Sequence, residues 1–400
     1  MGEGALREPK RGSSLTVREG ALDMRIKIQL ILFLVTAIVL FGACRKSTPN
    51  QNANSNAGTS AQDTLGGGAA PAGEKVHFRG SIANLSIEMN LVREGERLTG
   101  TYFYPRIAKN IDLKGEIDRD GNVALRESDE TGKETGVFKG KWKSNATGLA
   151  DIEGKWSRPD GSKETDFFIS QQPIEFTAAV RIVPKVIREN NKEGKYSVDA
   201  EYPQIEGDAR FDKFNAAARA MITKDVAAFK TAETAALEEE TDLPEETQTS
   251  SLDIGYQFRL ATDDLISVEF TEGQYSRGAA HGNSITAVLN YDVKNGKRIE
   301  LADLFNPKSN YLNVMSAYAI KDLKEQSKQN DMLMADQLQD GAGARADNYR
   351  AWTITRKGLW ITFDPYQVAA YAAGPQHVLV PYSALKPIVK PDGPIGNLAG

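Results

Sequence analysis

Between Val76 and Pro173 the chain alternates apolar and polar residues with a period of two, in short runs punctuated by glycine. Leu85, Ile87, Met89 and Leu91 form one such run, and Ile111, Leu113 and Ile117 belong to another. A period of two puts every second side chain on one face, so these runs bury a single face as strands and exclude a helical bundle. Glu94–Gly95, Asp120–Gly121, Thr131–Gly132 and Asp160–Gly161 fall between the runs, where hairpins need residues that accept positive φ. The pattern predicts an antiparallel meander of seven or eight strands over residues 76–173, sandwich-like or barrel-like. Tyr102, Tyr104, Trp142 and Trp156 are read as core or cross-strand residues, with a sugar-stacking face as the alternative.

With one cysteine in 400 residues, no internal disulfide can form, and stability must come from packed cores. That cysteine, Cys44, ends a distinctive segment. Met24–Arg25–Ile26–Lys27 is a short positive stretch, Ile28 to Ala43 is a mainly apolar run of 16 residues, and Phe41–Gly42–Ala43 precedes Cys44. This is the layout of a lipoprotein signal peptide over residues 24–44, with Cys44 as the lipid attachment site. An uncleaved membrane helix is the alternative, but crossing a bilayer takes roughly 20 residues. Residues 1–23 read as an extension or a misplaced start. Residues 45–75, rich in Ser, Asn, Gly, Ala and Thr, read as a flexible tether. The expected location is therefore the cell envelope, exported and held to a membrane through a lipid. A net charge of −5 and the lack of a basic block beyond the leader argue against a nucleic-acid partner.

Residues 174–389 carry a different pattern, an α+β region with helices packed on an antiparallel sheet. A strand from Lys195 is expected to stop at Pro203, Asp208 to cap a helix, and Phe211, Phe214, Ala218, Met221, Ile222 and Phe229 to form its buried stripe. Glu238 to Glu246 is read as a solvated acidic loop, and a calcium site there lacks the regular ligand spacing. Strands follow over Leu252–Leu260 and Leu265–Glu272, then a hairpin through Asp292 and Lys297, a helix over Tyr311–Gln326, and a last strand pair over Trp352–Ile354 and Leu359–Phe363. Residues 390–400 are read as a frayed tail.

Tyr202–Pro203, the Tyr275 to Gly282 segment, the Asp292/Gly296–Lys297 hairpin, Asp303 to Phe305 and the Tyr366 to Gly374 segment occur in that order. Together they resemble the PdaC-like and RsiV-like extracytoplasmic domains (the DUF4163 and DUF3298 type) of the lysozyme-sensing anti-sigma factor family, over Lys195 to Leu385. The resemblance implies helices on an antiparallel sheet. It also implies a lysozyme-like protein as a partner, because the best-understood member binds lysozyme, while other members sit beside polysaccharide deacetylase domains. This chain has neither an anti-sigma segment nor a deacetylase domain, so those activities do not carry over.

Histidine is a residue type that can serve as base or ligand, but His281, in the turn Ala279–Ala280–His281–Gly282, alone makes neither a triad nor a metal site. His377 and His77 stand apart from any motif. No catalytic, metal or cofactor site is read from the sequence. Tyr275, Arg277, His281, Asp364, Tyr366 and Tyr371 are the expected partner-binding residues, on two loops rich in aromatic and small side chains. The functional reading is a non-enzymatic binding module for a lysozyme-like protein or a peptidoglycan fragment. The alternative is an envelope polysaccharide hydrolase or accessory enzyme using Asp364 or Glu272 with His281.

Overall fold

The computed structural model describes residue 73 and residues 75–177, 180–237, 247–328, 333 and 337–400. The expected signal peptide, Cys44, nearly all of the tether and the acidic loop from Glu238 to Glu246 lie outside the described residues. Among the described residues no helix is long and apolar enough to cross a membrane.

The alternating N-terminal runs form eight strands: β1 (Lys75–Ile82), β2 (Leu85–Glu94), β3 (Arg97–Phe103), β4 (Ile111–Ile117), β5 (Asn122–Ser128), β6 (Glu134–Ser144), β7 (Ala150–Ser157) and β8 (Thr165–Gln171). Each pairs antiparallel with the next, and β1 pairs with β8 to close a barrel. Closure removes both sheet edges, and eight strands leave an interior that side chains fill. Phe78, Ile87, Met89, Leu98, Phe138, Ile152 and Ile169 fill it. Gly95, Gly121, Gly132 and Gly161 take positive φ in the turns, as their positions required. The strand glycines have another use. A Cβ on Gly154 would lie 2.1 Å from the Lys139 carbonyl oxygen and 2.4 Å from the Gly140 Cα, so facing glycines let β6 and β7 close up. Tyr102 is buried in the barrel core, and Tyr104, Trp142 and Trp156, partly buried, pack against it; Trp142 meets Phe78 edge-on at 5.3 Å.

The second half is built on a seven-stranded sheet of β9 (Ile174–Glu175), β10 (Arg181–Asn191), β11 (Tyr196–Glu206), β12 (Ser250–Thr262), β13 (Leu265–Tyr275), β14 (Asn283–Asp292) and β15 (Lys297–Arg298). Its order is β10-β11-β12-β13-β14-β15, with β9 beside the far end of β12. The sheet is mixed, because helix α1 (Asp212–Ala236) crosses between β11 and β12 and makes them parallel. Phe214, Ala218, Ile222 and Phe229 of the predicted stripe are buried against Val198, Ile254 and Phe270. Asp208 caps a short 3-10 turn (Ala209–Phe211) that leads into α1. Pro203 does not stop β11 as expected. It sits opposite Pro184 of β10, and β12 pairs only with Tyr196–Ala200, so neither neighbour needs its missing N–H.

On the other face lies a three-stranded sheet of β16 (Trp352–Ile354), β17 (Gly358–Phe363) and β18 (Gln376–Pro381), packed with helix α2 (Tyr311–Gln326) into a further core. The tail is not frayed. Ile395 and Ala399 are buried in this core, where their apolar side chains outweigh the Pro and Gly around them. All described residues fall within one compact unit.

Candidate functional site

Two loops expected to form one surface meet at the ends of β13 and β17. The imidazole of His281 stacks on Tyr371 with ring centroids 4.2 Å apart and planes 27° apart, and Tyr366 stacks beside Tyr371 at 5.3 Å and 29°. The Tyr371 hydroxyl donates to the Gly282 carbonyl at 2.5 Å, and His281 Nδ1 lies 2.8 Å from the same oxygen. One carbonyl thus orients two of the rings. Tyr366 is 59% exposed and adopts φ 70°, a conformation unusual for a bulky residue that turns its ring outward at the loop tip. Ile285 on β14 is 45% exposed.

Asp364 anchors the second loop. Its carboxylate accepts from the Thr286 backbone N–H at 2.9 Å, on the outer edge of β14, and from Arg350 at 2.5 Å. A carboxylate held by a guanidinium and an amide is fixed in orientation, so it pins the loop to the sheet edge. Glu272 is different. Burial, with the negative charges of Asp225 and Asp364, pushes its carboxyl up to about 7. Among the described residues no three or more His, Cys, Asp or Glu side chains converge as a metal-ligand set.

Tyr275 and Arg277 shape the first loop rather than join the stack. The Tyr275 hydroxyl donates to the Ala279 carbonyl at 3.2 Å. Arg277 donates to the Glu233 carbonyl at the end of α1 (3.2 Å), and its backbone N–H donates to Ser250 Oγ (2.9 Å). Gly278, at φ 76°, completes the turn; Gly273 and Gly282 have no positive φ. His377 is stacked on Trp360 at 5.0 Å.

A second polar constellation, at the junction of barrel and sheet, escaped the reading of the sequence. Arg79 of β1 donates through Nε to the Tyr256 carbonyl (2.7 Å), through Nη1 to Glu88 of β2 and through Nη2 to Glu201 of β11. Its guanidinium also lies 3.7 Å from the Tyr256 ring centroid. His77 Nε2 meets the other Glu88 oxygen at 2.7 Å, and Nδ1 meets Asn90 Oδ1 at 3.0 Å. Burial opposes the charge on each, but their mutual attraction wins: Glu88 is held below, and His77 above, its ordinary range. In the sequence these are charges at the outward positions of alternating strands, which read as a solvated face; only the docked sheet turns that face inward.

A closed antiparallel barrel joined to a mixed sheet, with a helix on one face, a small sheet on the other and an exposed ring stack at the edge, defines a two-part scaffold of β-barrel plus α+β type. Within it, residues 189–284 match the family model described as deacetylase PdaC, and residues 302–383 match the model for a protein of unknown function, DUF3298. The peptidoglycan-N-acetylmuramic acid deacetylase PdaC of Bacillus subtilis (strain 168) is 29% identical over 145 residues, which are 36% of this chain and 30% of that protein. The match therefore spans under a third of that relative's length. Two solved structures are similar at 17% identity: a DUF3298 family member from Bacteroides fragilis (TM-score 0.40, 56% of this chain and 98% of that one) and one from Pseudomonas aeruginosa PAO1 (TM-score 0.38, 53% and 94%). The stack takes one ring from the edge of the PdaC-like region and two from the DUF3298 region.

Proposed function

We propose that this chain is a lipid-anchored protein of the cell envelope whose His281–Tyr371–Tyr366 stack binds a glycan strand of the cell wall. The observation that carries the reading is the stack itself: three rings within 30° of parallel for each contact, ending in an outward Tyr366. Flat apolar faces flanked by fixed polar groups suit a sugar ring, whose C–H faces stack while its hydroxyls meet donors and carboxylates. The segment ending in Cys44 supports export and anchoring, and the partial similarity to a peptidoglycan deacetylase supports a wall polymer as the setting.

A lysozyme-like protein is the second reading, favoured by exposed Ile285 beside the stretch of β14 edge that Asp364 and Arg298 engage with side chains instead of a strand. The test is titration of the full-length chain in detergent with soluble peptidoglycan fragments and with lysozyme. Glycan binding that weakens about tenfold in Tyr366→Ala, the loss of ~1.4 kcal/mol typical of a ring contact, is the expected result. Lysozyme binding with no response to glycan transfers the site to a protein partner. No response to either sinks both.

A further inference from the structure

A cavity of about 390 Å³ lies between the barrel wall and the sheet, lined by His77, Asn90, Gln171, Glu175, Arg259 and Arg356 among others. It is remote from the ring stack: Arg356 lies just before β17, and Asp364 follows the strand's other end. Arg259 is the extra residue of a β-bulge, since Phe258 pairs with Val268 and Leu260 with Ser267. A bulge re-aims the side chain it carries. Here the guanidinium donates to Glu269 at 2.6 Å and lies 5.3 Å from the Trp360 ring centroid, while its Nε is buried with no acceptor. A charged donor left unpaired out of water is costly, and it is satisfied if something in the cavity accepts from it.

The neighbouring amides point to the same chemistry. Asn90 uses its oxygen on His77, and Gln171 uses its oxygen on the Ala150 N–H at 2.9 Å, so the amide nitrogens are the ends left to donate. Lys75 and Arg356 also line the cavity, and Arg356 forks onto Glu175. With Arg259, these are three cations against the carboxylates of Glu175 and Glu269. Donors in excess and one surplus positive charge select an acceptor-rich ligand with a single negative charge, and a guanidinium fork fits a planar carboxylate. The volume lies at the lower end of the range of small-molecule sites, roughly 300–1,000 Å³.

We propose that this cavity binds a small carboxylate-bearing ligand of about one amino sugar in size, held by Arg259 and by the amide donors of Asn90 and Gln171. The proposal stands apart from glycan binding at the ring stack, because the two share no residue. Its probes are N-acetylmuramic acid and N-acetylglucosamine, which share a ring and differ by the lactyl carboxylate. Titrated into the full-length chain, the acid binds and shifts the Arg259 Nε–H resonance, whereas the neutral sugar binds at least about tenfold more weakly. The double variant Arg259→Gln/Glu269→Gln swaps the ion pair for an amide pair and weakens the acid about tenfold or more, while Tyr366→Ala leaves this binding unchanged. Should the double variant misfold, Arg356→Gln, on the half-exposed rim, weakens the acid several-fold. Equal affinity for both sugars, no resonance shift at millimolar acid, or full affinity in the folded Arg259 and Arg356 variants would overturn the proposal.

Discussion

Glu272 and His77 are shifted in the same direction by opposite causes, and each makes a prediction about pH. Glu272 moves from an ordinary 4.5 to about 7, chiefly by burial, so the folded state holds its proton more tightly than the unfolded chain does. Its stability contribution is full below 4.5 and is lost as pH rises through 7. Glu272→Gln should therefore stabilise the protein by about 2 kcal/mol at pH 8 and by little at pH 4, as read by denaturant midpoints. Equal effects at both pH values would show that the carboxyl titrates normally. His77 is raised because Glu88 outweighs burial, so its contribution is full below 6.5 and fades above it. Glu88 is depressed, and its contribution is lost only as pH falls through its lowered value. The junction is thus strongest in mildly acidic solution, and His77→Gln should remove the decline in stability that this pair produces as pH rises above 6.5. The turn glycines could be placed from the sequence because positive φ is a local requirement. The roles of Arg79 and Arg259 could not, because a lone arginine on a strand looks the same whether its face meets water or another sheet.

Among the elements, α1 was legible because its apolar stripe recurs over a long stretch, and the barrel strands because their short alternating runs are bounded by turn signals. Phe214 of α1 is fully buried against the sheet and meets Tyr291 edge-on at 5.8 Å, so Phe214→Ala should destabilise by about 3–5 kcal/mol in chemical denaturation. A loss under 1 kcal/mol would mean that the helix is not seated as described. Gly154→Ala forces a methyl onto the β6 backbone and should lower the melting temperature by many degrees, whereas alanine at Gly255, where nothing lies within 4 Å, should be tolerated far better. Strand ends were harder to read. Pro203 looks like a stop signal in isolation, but opposite Pro184 on an outer pair no hydrogen bond is at stake. The bulge at Arg259 had no local signal, since it depends on what β13 offers across the ladder.

For the whole molecule, the decisive contact is where the barrel fills a gap in the sheet. Between the stretches of β12 paired with β11 and with β9, the Tyr256 carbonyl accepts from Arg79 and the Phe258 N–H donates to Gln172 Oε1 at 2.8 Å. Barrel and sheet therefore complete each other, and the wild-type protein should unfold in one calorimetric transition. Arg79→Ala leaves Glu88 and Glu201 buried without their cation and should lower stability by about 3–5 kcal/mol, or split the transition in two. Two unlinked transitions already present in the wild type would contradict a shared junction. The sequence by itself determined the mainly β first half, the α+β second half, the buried stripe of α1 and the two loops that carry the ring stack, because periodicity and turn chemistry act within a few residues. Only the tertiary structure decided that the meander closes into a barrel, that its outer charges at Arg79 and Glu88 are buried with His77 half-buried beside them, that residues Ile395 and Ala399 of the tail are core, and that Arg259 faces a cavity. Each of those depends on which surface arrives from a distant part of the chain, and no local pattern encodes that arrival.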